Sequence, residues 1–251
     1  MTIVLVHGVP ETAALWAPLI AGLQAAGVQE DIECLSPPGF GAPVPPHFEA
    51  TIEGYRRWLV AELERFDAPV HAVGHDWGGV HVVAVAMTRP ALLRSWASDA
   101  LGVLEPGYVW HDLVRTWQTA GAGEKQLADL LDGTNDDRAA RMAAFGVDRS
   151  VAAAMAPQQD ATMQRCILNL SRSAIQPAMA DLGRALPRAA ARPGLAILAS
   201  EDRNGGDDRL RHSAAARAGA KVAPLEGRGH WWMTEEPELG ARTLAEFWSG
   251  L

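Results

Sequence analysis

The sequence contains few cysteines and no long apolar run. Its 251 residues include two cysteines, Cys34 and Cys166, which lie far apart and form neither a disulfide framework nor a metal-ligand cluster. No stretch approaches the ~20 consecutive apolar residues that a membrane-spanning helix needs. Residues 1–7 have no basic region and too short an apolar run for a signal peptide. We therefore expect a cytoplasmic protein that does not enter a membrane.

Basic charge is also scarce. The formal net charge is -8, which argues against nucleic acid or an anionic membrane as a partner, because both need a basic surface. Hydrophobic residues make up 48% and charged residues 21%, so a large buried core is expected and disorder is not. No metal and no cofactor are predicted, since no His/Cys cluster has ligand spacing and no glycine-rich phosphate loop occurs. The expected partner is a small molecule. The oligomeric state stays open, with a homodimer as one option.

Short apolar runs alternate with helical spacing in the first part of the chain, which predicts a parallel sheet covered on both faces. Between residues 102 and 188 only helical patterns occur, without intervening strands. We therefore predict a sheet core of residues 1–101 and 189–251, and a helical cap of residues 102–188. The predicted strands are residues 3–6, 31–35, 70–73, 93–97, 195–199 and 221–224.

The first candidate for chemistry is Asp76, in the segment V-G-H-D-W-G-G of residues 73–79. The pattern G-x-D-x-G-G between a strand and a helix is typical of a nucleophile elbow. The alternative is an ordinary turn in which Asp76 caps the helix. A carboxylate with an ordinary pKa of about 3.9 is ionised at neutral pH and needs no base to activate it. Its attack on an ester would give an unstable anhydride, whereas attack on an sp³ carbon bearing a halide or epoxide oxygen gives a stable alkyl ester.

The remaining catalytic groups are predicted from their positions after strands. Main-chain N–H groups of Val9 and Trp77 are the expected oxyanion-hole donors. His230, one of eight histidines, follows the last strand and is the expected general base on water. Asp202 follows the penultimate strand and is the favoured acid that orients the histidine. Asp99, which ends an earlier strand, is its rival.

Three motifs carry a family resemblance: H-G-V-P-E (7–11), G-H-D-W-G-G (74–79) and G-H-W-W (229–232). In this order they resemble the epoxide hydrolase and haloalkane dehalogenase branch of the α/β-hydrolase superfamily. The resemblance covers residues 1–101 and 189–251. It implies an α/β-hydrolase fold with a mostly parallel sheet of about six strands, lacking the usual first two, and an inserted helical cap. It also implies an alkyl-enzyme ester on Asp76, hydrolysed by water that His230 activates.

Three functions fit the resemblance. The first is an epoxide hydrolase acting on a small apolar epoxide. The family uses two cap tyrosines to protonate the epoxide oxygen. Here Tyr108 is the only tyrosine in the predicted cap, and His111 is the candidate for the second donor. The second is a haloalkane dehalogenase, in which Trp77 and either Trp110 or Trp117 bind the halide through indole N–H groups. Cap tryptophans are otherwise packing residues. The third is a lyase or ligand-binding protein on the same fold.

Overall fold

A computed structural model describes residues 2–251, which contain one six-stranded sheet and twelve α-helices. No helix among these residues is both long and apolar enough to cross a membrane. The strands are β1 (Thr2–Val6), β2 (Asp31–Leu35), β3 (Val70–Gly74), β4 (Leu93–Ser98), β5 (Gly194–Ala199) and β6 (Lys221–Leu225). The helices are α1 (Ala17–Ala25), α2 (Ile52–Leu63), α3 (Trp77–Thr88), α4 (Asp112–Gln118), α5 (Ala122–Leu131), α6 (Asn135–Ala144), α7 (Arg149–Met155), α8 (Ala161–Ser173), α9 (Ala178–Gly183), α10 (Asp208–Arg217), α11 (Trp232–Glu235) and α12 (Pro237–Ser249).

All neighbouring strands pair in parallel, in the order β2-β1-β3-β4-β5-β6. The predicted six-stranded parallel sheet is thus confirmed. Because successive side chains of a strand point to opposite faces, β1 contributes to two apolar cores. Val4 and Val6 pack in the cluster that includes α2 and α3, whereas Ile3 and Leu5 pack in the cluster that includes α1 and α12. All five residues of the central strand β3 are buried, as expected for a strand covered on both faces.

The chain between β4 and β5 is helical and contains α4 to α9. Its two ends meet: a Cβ added at Gly183 would lie 1.9 Å from the Leu104 carbonyl oxygen, so only glycine permits this approach. Arg217 of α10 donates to the Glu105 carboxylate at 2.7 Å and to the Gly183 carbonyl at 2.6 Å. The sheet core therefore holds both ends of the segment that we proposed as the cap, residues 102–188.

Candidate active site

Asp76 lies on a sharp turn between β3 and α3. Its φ of 50° and ψ of −123° are strained values for a residue with a side chain. The turn fits only because glycine follows it: a Cβ at Gly78 would lie 2.1 Å from the Val6 carbonyl oxygen. The carboxylate does not cap α3 in the usual way. This is the geometry of a nucleophile elbow, in which the positive end of the helix favours a negative charge on the side chain.

The two predicted oxyanion-hole donors face the Asp76 carboxylate itself. The Val9 N–H donates to Asp76 Oδ2 at 3.1 Å. The main-chain N–H of Trp77 lies toward the same carboxylate and lowers its pKa. Gly8 makes room for this contact, because a Cβ at that position would lie 2.3 Å from Asp76 Oδ2. An oxyanion that forms on the Asp76 carboxyl group would therefore be held by two main-chain donors.

The base and the favoured acid are paired. His230 Nδ1 lies 3.0 Å from Asp202 Oδ2, and the Asn204 N–H donates to Asp202 Oδ1 at 2.8 Å. Burial raises the pKa of Asp202, but the attraction of His230 and these hydrogen bonds outweigh it and bring the pKa to about 2. Asp202 is thus ionised at neutral pH and accepts the Nδ1 proton of His230. Burial lowers the pKa of His230, but the attraction of Asp202 and its hydrogen bond raise it above the ordinary value. In the neutral form of His230, the Nε2 lone pair is free to take a proton from water.

The rival acid, Asp99, has other partners. Its Oδ1 accepts the main-chain N–H of Asp76 at 2.9 Å. Its Oδ2 lies 2.6 Å from His75 Nδ1 and accepts the Trp232 indole N–H at 2.8 Å. No hydrogen bond joins Asp99 to His230 within residues 2–251. Asp99 therefore supports the elbow, and the geometry favours Asp202 as the acid that orients the base.

His75 lies between two buried carboxylates. The sequence alone did not predict this arrangement. Its Nε2 is 3.1 Å from Glu11 Oε1, on the side opposite Asp99. The other contacts of Glu11 are the Trp231 indole N–H at 2.7 Å and the Gly8 N–H at 2.9 Å. Burial lowers the pKa of His75, but the two carboxylates raise it well above its ordinary value. His75 is therefore an imidazolium that binds the loop of Glu11 to the strand of Asp99.

One group of side chains has metal-ligand spacing among the described residues. Ligand atoms of Glu11, His75 and His230 lie within 4.8 Å of one another. A histidine ligates metal through a nitrogen lone pair. Both nitrogens of His75 lie within hydrogen-bond distance of carboxylates, so a metal at His75 would have to displace one of these contacts. We assign no metal to this cluster.

A cavity of about 460 Å³ opens at Asp76, the predicted nucleophile. One end contains the predicted catalytic residues Asp76, His230 and Asp202, and the wall is mostly apolar. The size suits a small organic molecule. The apolar residues come largely from α3, the strand-to-helix connections and the proposed cap: Val80, Val103, Trp110, Leu113, Val114, Trp117, Leu130, Met142 and Phe145.

The structure brings most of the predicted binding residues to this cavity. Trp77, Trp110, His111 and Trp117 line it. Tyr108 is not among the lining residues, and its hydroxyl donates to the Asn204 carbonyl at 2.6 Å. The expectation that Tyr108 donates a proton to substrate is therefore not supported by its position. Sequence position alone placed Tyr108 in the cap and could not show where its hydroxyl points.

Asp76 is less acidic than an ordinary aspartate. Burial raises its pKa to about 6, although the attraction of His230, the attraction of His75 and the Trp77 N–H oppose the shift. The carboxylate is still mostly ionised at pH 7, as the attack requires. The ordinary value of about 3.9 assumed from sequence is nevertheless wrong for this site, because a sequence does not show that the group is buried.

We expect the covalent step to fail in mild acid. The attacking form is the carboxylate, and the pKa of Asp76 is raised, so ionisation is lost as pH falls through about 6. At pH 5 about one molecule in ten would carry the carboxylate, and the alkylation rate should be about tenfold below its plateau. Rapid-quench mass spectrometry of the wild-type enzyme between pH 4.5 and 8 measures the rate of adduct formation directly. An alkylation rate that stays level down to pH 4.5 would contradict the expectation.

Known proteins resemble the chain over nearly its whole length. The alpha/beta hydrolase family model matches residues 3–243. No curated protein matches by sequence.

Among solved structures, the haloalkane dehalogenase DbeA from Bradyrhizobium elkani USDA94 is 22% identical, with a TM-score of 0.73 over 99% of this chain and 90% of that one. The enol-lactonase from Burkholderia xenovorans LB400 is 20% identical, with a TM-score of 0.71 over 99% and 91%. A serine hydrolase involved in carbazole degradation is 18% identical, with a TM-score of 0.68 over 100% and 92%. At these identities the likeness shows the fold alone, and the family match shows that the chain belongs to the alpha/beta hydrolase family.

Proposed function

We propose that this protein is a hydrolase that attacks an sp³ carbon with Asp76 and releases a halide, the reaction of a haloalkane dehalogenase. One observation carries the covalent part of the proposal. The Val9 N–H donates to the carboxylate of Asp76 itself. In an ordinary esterase the oxyanion hole holds the substrate carbonyl. Donors on the nucleophile suit an enzyme whose oxyanion forms on its own carboxyl group, during hydrolysis of an alkyl ester.

The first step displaces the leaving group. A carboxylate oxygen of Asp76 forms a bond to carbon while the carbon–halogen bond breaks, and the halide leaves with the bonding electron pair. The new anion needs hydrogen-bond donors within the largely apolar cavity. Without them, the leaving group would have to form in surroundings that cannot solvate it.

Indole N–H groups are the donors that the cavity offers. Four tryptophans line it: Trp77, Trp110, Trp117 and Trp231. Trp110 already donates to the Ala174 carbonyl at 3.0 Å, and Trp231 donates to Glu11. Trp117 Nε1 is buried and has no acceptor among the described residues. The indole of Trp77 likewise has none in residues 2–251, which leaves these two to receive an anion.

Trp77 is the better placed of the two donors. It directly follows the nucleophile in the chain and lines the same cavity. Its ring stacks with Trp110 at a centroid distance of 5.5 Å and with His81 at 6.2 Å. These contacts occupy ring faces and leave the edge, which carries the N–H and the positive part of the quadrupole, outside the stacking. A ring edge attracts an anion, whereas a ring face would attract a cation.

The second step hydrolyses the ester. His230 takes a proton from water, whose oxygen attacks the Asp76 carboxyl carbon, and the oxyanion is held by the N–H groups of Val9 and Trp77. Collapse breaks the bond between the carboxyl carbon and the alkyl oxygen, which takes the proton back from His230. Asp76 is left as a carboxylic acid and releases its proton, which regenerates the carboxylate. The balance is alkyl halide plus water to alcohol, halide and one proton. No direct hydrogen bond joins His230 to Asp76 within residues 2–251, as expected for a base that works on water.

Epoxide opening is the second candidate, and the sequence alone ranked it first. Both tyrosines are engaged elsewhere: the Tyr108 hydroxyl donates to Asn204, and the Tyr55 hydroxyl donates to Pro38 at 2.9 Å. His111 favours this reading, because it lines the cavity and makes no side-chain hydrogen bond within residues 2–251. Burial and the nearby His230 lower the pKa of His111, which keeps it neutral at pH 7. A neutral imidazole is a weaker acid than the imidazolium, so we rank this function second.

Matched substrate panels test the proposal. The wild-type enzyme is incubated with bromoalkanes and with terminal epoxides of equal carbon number, and halide and diol are measured separately. We expect halide release with the bromoalkanes and at least tenfold slower diol formation. Diol formation without halide release would show that the enzyme is an epoxide hydrolase and not a dehalogenase. Neither product, with no adduct on Asp76, would favour a lyase or a ligand-binding protein.

Loss of the Trp77 indole N–H should slow halide displacement. A hydrogen bond to a charged group contributes about 1.5–3 kcal/mol, so Trp77→Phe should reduce the alkylation rate about ten- to a hundredfold. Its main-chain N–H remains in the oxyanion hole, so the hydrolytic step should change less. Trp110→Phe is the matched control, because the indole N–H that it removes already has a protein acceptor. Equal losses of alkylation rate in the two variants would show that packing, and not the donor, explains the effect.

A further inference from the structure

Tyr108 links the proposed cap to the loop that carries Asp202. The side chain is buried, at 4% exposure, and its hydroxyl donates to the Asn204 carbonyl at 2.6 Å. Its ring lies edge-on against Trp110 at a centroid distance of 5.0 Å. Its own carbonyl accepts the Gln176 amide at 3.3 Å. The phenol is thus fixed from the cap side and reaches the loop after β5 with its hydroxyl.

Asn204 is the residue that makes this contact matter for catalysis. Its carbonyl accepts from Tyr108, and its N–H donates to Asp202 Oδ1 at 2.8 Å. The other oxygen of Asp202 holds His230 Nδ1 at 3.0 Å. The same backbone residue is therefore bound on one side by the cap and on the other by the triad acid. Glycines at 205 and 206 follow directly, and glycine backbone is the least restrained of all.

We propose that Tyr108 is a positioning residue for the triad, which holds Asn204 so that Asp202 keeps His230 oriented for the hydrolytic step. The inference rests on the function proposed above. Tyr108 does not touch the reacting atoms. It acts through the Asn204 backbone, and it makes the placement of the cap a condition for release of the ester. Within residues 2–251, Asp76, Val9 and Trp77 make no hydrogen bond to Tyr108, so the first step does not depend on its hydroxyl.

Tyr108→Phe tests the inference, because it removes one oxygen and keeps the ring. We expect the hydrolysis of the ester to slow about three- to tenfold, the size of one lost hydrogen bond, with alkylation unchanged. Rapid-quench mass spectrometry would then show more adduct in the steady state. Tyr55→Phe is the matched control: its hydroxyl also donates to a main-chain carbonyl, that of Pro38, but far from the Asp202 loop in sequence. A Tyr108→Phe enzyme that loses alkylation with epoxides would instead make Tyr108 the acid that protonates the substrate, and would overturn the inference.

A second readout needs no substrate. A histidine Nδ1 proton held by a carboxylate gives a far-downfield proton NMR signal, and the signal of His230 is the one that His230→Gln removes. We expect Tyr108→Phe to shift or broaden this signal and Tyr55→Phe to leave it unchanged. An unchanged signal in Tyr108→Phe would overturn the inference, even if no substrate of the enzyme were found. If Tyr108→Phe does not fold, Gln176→Ala loosens the same residue from the cap side and should give a smaller shift of the same signal.

Discussion

Replacement of His230 by glutamine should trap the alkyl-enzyme ester on Asp76. The carboxylate attacks without a base, because it is mostly ionised at pH 7 and lies at the N-terminus of α3. Water does not attack an ester quickly without a base, and general-base assistance contributes about 10²–10⁴-fold. His230 also attracts Asp76 and lowers its pKa, so its loss leaves a smaller ionised fraction of Asp76 at pH 7. At pH 8 the variant should therefore complete the first step and stop at the second. Intact-protein mass spectrometry after one turnover should show nearly all of the protein as adduct.

The mass of the adduct also identifies the leaving group. A bromoalkane adds the alkyl group alone, because bromide departs, whereas an epoxide adds its whole mass, because its oxygen stays attached. Asp76→Asn is the control and should give no adduct, since an amide is not nucleophilic. Peptide mapping must locate the adduct on Asp76. A His230→Gln enzyme with normal turnover, or an adduct on another residue, would refute the mechanism.

The sheet and the elbow were predictable because their signals are local. Short apolar runs bounded by turn residues marked all six strands, and G-x-D-x-G-G marked the turn of Asp76. Local signals fail where a helix has little apolar surface to show. Helix α10 (Asp208–Arg217) buries Leu210 and two alanines but also the guanidinium of Arg211, so its sequence carries no clear apolar period. Its N-cap, Asp207, which accepts the Leu210 N–H, was the available signal.

The convergence of the proposed catalytic residues was predictable from their positions after strands, but their surroundings were not. The carboxyl ends of parallel strands meet at one edge, so Asp76, Asp202 and His230 were expected to converge. The buried contacts of Glu11 with His75 join residues 64 positions apart, and no spacing rule relates such positions. The direction of the Tyr108 hydroxyl and the burial that raises the pKa of Asp76 are likewise properties of the packed structure. These features decide how the site works, and they come from the fold.

Replacement of Asp202 and of Asp99 by asparagine should produce two different defects. Asp202→Asn removes the carboxylate that accepts the Nδ1 proton of His230. The histidine then loses its correct tautomer and the charge that stabilises its protonated form, which costs up to about 10⁴-fold in rate. We expect ester hydrolysis to fall by about 10²–10⁴-fold, with alkylation by Asp76 retained. The measurement is the decay of adduct after removal of excess substrate.

Asp99→Asn should instead weaken the fold. Asp99 neutralises the buried imidazolium of His75 and accepts the N–H of Asp76, and removal of one partner from a buried ion pair destabilises a protein by about 3–5 kcal/mol. Urea denaturation should show this loss. Because Asp99 makes no hydrogen bond to His230 within residues 2–251, adduct decay in the protein that remains folded should slow by less than about tenfold. The opposite ranking, with Asp99→Asn stopping decay and Asp202→Asn nearly normal, would make Asp99 the triad acid. It would also require His230 to leave Asp202 during turnover, because His230 Nδ1 lies 3.0 Å from Asp202 Oδ2 in the structure.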